Sequence, residues 1–190
     1  MTASLHITGD STADALLSDD PLALLIGMLL DLQVPMETAF AGPAKLKERL
    51  GRLDPGEIAS YDAEKLVEVF RISPSIHRFP GSMAGRVQAL CAAVDSEWGG
   101  DASAIWTSGG PDGAEVLARL KALPGFGEQK AKIFLALLGK QYGFTGAAWR
   151  DAVGEYGLDG SWRSVADIVD GESLAKVREF KRAAKAAAKK

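Results

Sequence analysis

The sequence predicts an all-α protein, and three observations carry that expectation. Ala, Leu, Lys, Glu and Gly dominate the composition, and long alternations of Val, Ile and Thr are absent. Apolar residues recur at helical spacing, and aspartates or Asp-Pro pairs stand just ahead of several of these runs, where helices start. With 190 residues, 47% of them hydrophobic, the chain can bury one core or two small lobes sharing a groove. The expectation is roughly ten helices, with 22–30 and 134–138 among the most buried segments because neither has a polar face.

Composition also limits the function classes. The N-terminus has no basic stretch followed by an apolar run, so no signal peptide is expected, and a single cysteine, Cys91, fits a cytoplasmic protein. One cysteine cannot ligate an iron–sulfur cluster, and His6 and His77 form no metal motif. No apolar run is long enough to span a bilayer, and a monomer is expected. The net charge of −3 argues against coating a nucleic acid through bulk charge. Residues 176–190, however, hold seven bases and one acid, a local +6 that leaves the rest of the chain at about −9. Any DNA contact in the body must then rest on a local patch and on backbone donors.

In order, Leu5 to Ile7 reads as a short extended arm, and Asp10-Ser11 caps a first helix through Leu17. Asp20-Pro21 opens the second, since Asp suits the cap and Pro the first helical turn. Its body, Leu22 to Leu30, is apolar on every face. Pro35 breaks the chain and starts a helix at Met36, followed by a basic helix from Pro43 to Leu50. Asp54-Pro55-Gly56-Glu57 reads as a turn, and Asp62 caps a helix from Ala63 to Phe70. A loop from Arg71 to Ser82 precedes a helix from Met83 to Trp98, which Gly99-Gly100 ends. Asp101 caps a short helix through Trp106, and Asp112 caps the next. After an irregular link, Phe144 to Trp149, a short element begins at Arg150. Ser164 caps a final pair of helices, whose Ala/Lys-rich end from Phe180 reads as solvated.

The stretch with the most specific chemistry is Leu117 to Leu138, LARLKALPGFGEQKAKIFLALL. A helix stops at Leu123-Pro124, a hairpin runs from Pro124 to Gly127, and a second helix starts near Glu128. Two glycines around an apolar residue let another backbone come close. The helix that follows offers unpaired N–H groups and the positive end of its dipole, with Lys130 and Lys132 beside it, a site suited to a phosphate. The same pattern also serves a plain αα-hairpin, with glycine needed only for the turn.

Leu-Pro-Gly-Phe-Gly followed by Lys130-Ala131 and an apolar helix resembles the helix-hairpin-helix of the endonuclease III-like DNA glycosylase superfamily. The resemblance covers roughly residues 15–155, with the hairpin at 113–140. It implies a single, two-lobed helical domain in base excision repair that binds double-stranded DNA and flips a nucleotide into a pocket between the lobes. Gly125, Phe126, Gly127, Gln129, Lys130 and Lys132 are then DNA-binding, and the carbonyls of Lys121, Leu123 and Phe126 can hold a monovalent cation. Gln33 matches a glutamine that fills the space left by the flipped base, although a helix-terminal amide can equally serve local backbone. His77, Arg78 and Ser82 match a loop and helix start that approach the other side of the lesion; packing and solvation are the plainer uses of these residues.

The resemblance also sets the reaction. Family members that nick the strand carry a lysine two residues after the second hairpin glycine, where this chain has Gln129. Lys130 stands about 100° further round a helix. The expectation is a monofunctional glycosylase, and a catalytically inactive DNA-binding protein is the alternative. The family carboxylate falls near Ala147-Ala148, so Asp151 is the nearest acid and Glu155, one helical turn on, the second candidate. Asp151 can also be read as a helix cap.

Overall fold

In a computed structural model, which describes residues 3–189, the chain is all-α. Among the described residues there are eleven α-helices, two short 3-10 turns and no strand. None of these helices is long and apolar enough to cross a membrane.

The first three helices pack on one another, and the second is central. Helix α1 (Ser11–Asp19) is capped by Asp10, and α2 (Pro21–Leu30) by Asp20, whose carboxylates accept first-turn N–H groups. Every residue of α2 from Leu22 to Leu30 is buried, as its lack of a polar face requires. The N-terminal arm is not a strand. Leu5 and Ile7 are buried, and buried Asp14 accepts the N–H groups of Ile7 and Thr8, each at about 3 Å.

Helix α3 runs unbroken from Met36 to Leu50 with Pro43 inside it, where the sequence suggested two segments. Close packing holds this stretch against α2. A Cβ on Gly27 would lie 2.6 Å from the Phe40 ring, and one on Gly42 would lie 2.5 Å from Leu30. The tertiary contact thus outweighs the main-chain bond that Pro43 removes.

Helices α4 (Pro55–Ser60) and α5 (Ala63–Arg71) pack on α6 (Pro80–Trp98). Asp54-Pro55 begins a helix rather than a turn, since Pro55 takes its first position and Asp54 accepts the Glu57 N–H at 2.8 Å. Pro80 likewise starts α6 three residues before Met83. Asp101 does not cap α7 (Ala104–Thr107); it closes a tight turn by accepting from the N–H and hydroxyl of Ser103.

Helices α8 (Gly113–Lys121) and α9 (Glu128–Gln141) form the hairpin, and α10 (Trp149–Val153) lies against both. Glycines again set the approach: a Cβ on Gly113 would lie 2.3 Å from the Trp149 Cα, and one on Gly139 2.4 Å from its indole. The end of the chain is one 3-10 turn, Val165–Asp167, and one long helix, α11 (Gly171–Ala187), rather than two helices. Ser164 caps the turn and Asp170 the helix. Buried Asp167 pairs with Lys140 at 2.6 Å, which locks this turn to the end of α9.

Candidate functional site

The hairpin tip is anchored from below. Leu123 and Phe126 are buried, and the Phe126 ring meets Phe134 edge-on at 5.9 Å, so the Phe126 side chain belongs to the core and cannot contact DNA. The Leu123 N–H donates to the Leu120 carbonyl, and the Phe126 N–H to the Leu123 carbonyl. Gly125 is required twice over. Its φ is +81°, and a Cβ there would sit 2.4 Å from Leu29 of α2.

Gly127 is different, because its φ of −71° suits any residue and a Cβ on it would meet no heavy atom within 4 Å. Neither backbone strain nor internal packing accounts for a glycine here. It also leaves the first turn of α9 without a side-chain cap. The ladder begins with the Ala131 N–H donating to the Gly127 carbonyl at 2.9 Å. Among the described residues, the N–H groups of Glu128, Gln129 and Lys130 have no hydrogen-bond partner.

The charged side chains around these donors are partly committed. Lys132 pairs with Glu128 at 3.0 Å, and that contact, with the nearby Lys121, holds the Glu128 carboxyl below the usual range. Lys130 turns inward, and its ammonium donates to the carbonyls of Met28 (2.8 Å), Leu29 (3.1 Å) and Asp31 (3.3 Å). It closes the C-terminal end of α2, so the expectation of a DNA contact by its side chain is corrected. Burial pulls this ammonium below the ordinary lysine range, Asp31 opposes the shift, and Arg86 and Lys181 add to it. Gln129 is exposed, and its amide donates to the Tyr156 hydroxyl at 3.0 Å.

Gln33 lies two residues past Asp31, exposed, with φ +56°. It lines a depression of about 640 Å³ together with Val34, Pro35, Arg78 and Lys185. Gln33 and Arg78, far apart in sequence, therefore share one surface. Arg78 stacks on the half-exposed Phe79 ring at 4.9 Å, and Ser82 is exposed in the first turn of α6. His77 does not join them. It is 1% exposed, its Nε2 donates to the Leu32 carbonyl at 3.0 Å, and its Nδ1 accepts the Phe79 N–H at 3.1 Å. No ring nitrogen remains for a ligand, so His77 is a strut that ties its loop to the α2–α3 turn. Burial accordingly pushes its pKa down.

Asp151 is the third residue of α10, and the cap position belongs to Ala148 at φ +55°, so Asp151 is not the cap. Its carboxylate is exposed and accepts no hydrogen bond from the described residues. It borders an open depression of about 620 Å³ shared with Arg150, Gly154, Gly157, Leu158 and Asp159. Glu155 is not one turn along the same helix. Gly154, at φ +58°, ends α10, and Glu155 lies in the 3-10 turn Gly154–Gly157, paired with Arg163 at 3.0 Å.

Among the described residues, no three His, Cys, Asp or Glu side chains are placed to hold a metal ion. At the hairpin, the Leu123 carbonyl already accepts the Phe126 N–H, whereas those of Lys121 and Phe126 accept no bond within the turn. Cys91 is buried, and burial pushes its thiol up to about 12, so it is chemically quiet. Compared with known proteins, the chain matches no protein-family model and no curated protein.

Sequence reasoning missed the contribution of α11. Lys185 borders the Gln33 depression, and Arg163, which holds Glu155, stacks on Phe180 at 5.1 Å. The run of bases at 176–190 was visible, but its position beside Gln33 depends on the tertiary fold.

Proposed function

We propose that this chain is a DNA-binding protein of base excision repair, a monofunctional glycosylase that releases a damaged or mispaired base. The observation that carries the reading is Gly127, a glycine demanded by neither its backbone nor its neighbours, at the start of a helix with three unpaired N–H groups. A bare backbone there lets a phosphate approach the positive end of α9. A monovalent cation on the carbonyls of Lys121, Leu123 and Phe126 would add charge facing the same phosphate.

In the reaction, the bond from the sugar C1′ to the base nitrogen breaks with its electrons leaving on the base. A water oxygen bonds to C1′ and gives up its proton. Asp151, with no internal partner, is the carboxylate free to stabilise the cation-like sugar and take that proton. Lys130 is spent on the end of α2, and Gln129 stands where the strand-nicking members carry their lysine, so the reading is hydrolysis without an amine nucleophile. The product strand is then abasic and intact. Duplexes carrying single modified bases, incubated with the protein and then treated with or without alkali, test this: cleavage should need the alkali.

A second reading, a DNA-binding protein without catalysis, draws on the open setting of Asp151 and the pairing of Glu155 with Arg163. It predicts duplex binding with no base release from any lesion.

A further inference from the structure

The basic end of the chain has no role in the reading above, and its placement gives it one. Helix α11 is rooted by buried Ser173 and Val177, and three of its cations reach the α2–α3 turn. Arg178 pairs with Glu37, Lys181 lies 3.6 Å from Asp31, and Lys185 borders the depression beside Gln33. Spaced three and four residues apart, these side chains share one face of the helix.

The effect on charge is large. From Asp31 to Thr38 the turn carries two acids and no base, so alone it would repel a phosphate from Gln33. Both carboxylates are largely covered, with side chains 15% and 13% exposed for Glu37 and Asp31, and each has a cation of α11 against it. Beyond that neutralisation, Arg78, Arg86 and Lys185 have no carboxylate partner among the described residues, and the Lys130 ammonium lies within the field of Arg86 and Lys181. Two separate elements, the loop that carries Arg78 and helix α11 with Lys185, therefore bring unpaired positive charge beside one exposed glutamine.

We infer that α11 is part of the DNA-binding surface, with Lys185 and Arg78 gripping backbone phosphates on the two sides of the Gln33 depression. This rests on the DNA-binding reading and extends it beyond the hairpin. The ligand chemistry is a phosphodiester strand: the lining offers two cations and no acid, and Gln33 adds an amide.

The test is binding of a short labelled duplex by fluorescence anisotropy across a range of salt. Lys185→Ala and Arg78→Ala should each weaken binding several-fold and flatten the log K against log salt slope by about one unit. Lys65→Glu, at an exposed position of α5, should leave affinity and slope near those of the parent. Both alanine variants should keep the parent helicity and Tm, since neither side chain is buried. Unchanged slopes in both, with the parent binding, would overturn the inference and leave the hairpin reading standing. Equal weakening by Lys65→Glu would overturn it too, by showing generic charge attraction. A parent that binds no duplex would remove both readings together.

Discussion

Lys130→Met removes an ammonium while keeping an apolar stem, and its cost can be worked from what the ammonium holds. Three carbonyls at the end of α2, those of Met28, Leu29 and Asp31, lose the ammonium, and of these the Met28 carbonyl keeps the Asp31 N–H. A hydrogen bond from a charged group contributes about 1.5–3 kcal/mol, and a buried acceptor left unpaired costs about 1–3 kcal/mol. Relief from burying the ammonium offsets part of the loss, which burial of this lysine makes appreciable. A net destabilisation of about 3 kcal/mol results. With an unfolding entropy of about 2.1 cal/mol/K per residue, a chain of this length should melt about 7 °C lower. Thermal denaturation followed by circular dichroism gives the value directly. A Tm within a degree or two of the parent would refute the assignment of Lys130 as the cap of α2, and a borohydride-trapped DNA adduct lost in the variant would assign it to catalysis.

Three further outcomes follow from single contacts. His77 is held neutral, with a native pKa below its ordinary 6.5, so its contribution to stability is complete above 6.5 and is lost as pH falls through the native value. Protonation at Nδ1 would set a donor against the Phe79 N–H; urea melts should show the parent losing stability below about pH 6.5 more steeply than His77→Gln. Gly125→Ala must accept φ +81° and move Leu29, and it should cost about 2 kcal/mol or more by the same melts. Asp151→Asn should lower base release by about two orders of magnitude while lesion binding stays near the parent; unchanged release in single-turnover assays would move the carboxylate role elsewhere.

Much of the helical layout is legible in the sequence because it rests on local chemistry. Asp10, Asp20, Asp62 and Asp112 cap where the residues that follow them indicate, and an all-apolar α2 has no choice but burial. What fails locally is set by distant partners. Pro43 stays inside α3 because Gly42 seats against Leu30 and Ile76. His77 and Arg78 are neighbours in sequence, yet one is a buried strut and the other an exposed cation, which only the carbonyl of Leu32 decides. For Lys130, helix phase turns the side chain away from the Gln129 position, but the acceptors it reaches lie about a hundred residues upstream, beyond any pattern a sequence displays. Asp151 and Glu155 fit one helical turn on paper, and the left-handed Gly154 separates them. A glycine's presence is readable; whether it serves a turn, as at Gly125, or an approach from outside, as at Gly127, emerges only when its surroundings are known.

Gly127 also gives the most direct test of the central claim. At φ −71° with open space around it, Gly127→Val should fold, at a cost of about 1 kcal/mol for a poor cap residue. Its isopropyl group would stand where a phosphate must approach the unpaired N–H groups of α9. Duplex affinity measured by anisotropy, beside a melt of the same samples, separates the two effects. Binding weakened by about tenfold or more with a near-parental Tm is the result predicted for a backbone phosphate site. A variant that binds duplex as tightly as the parent would show that the hairpin only joins two helices.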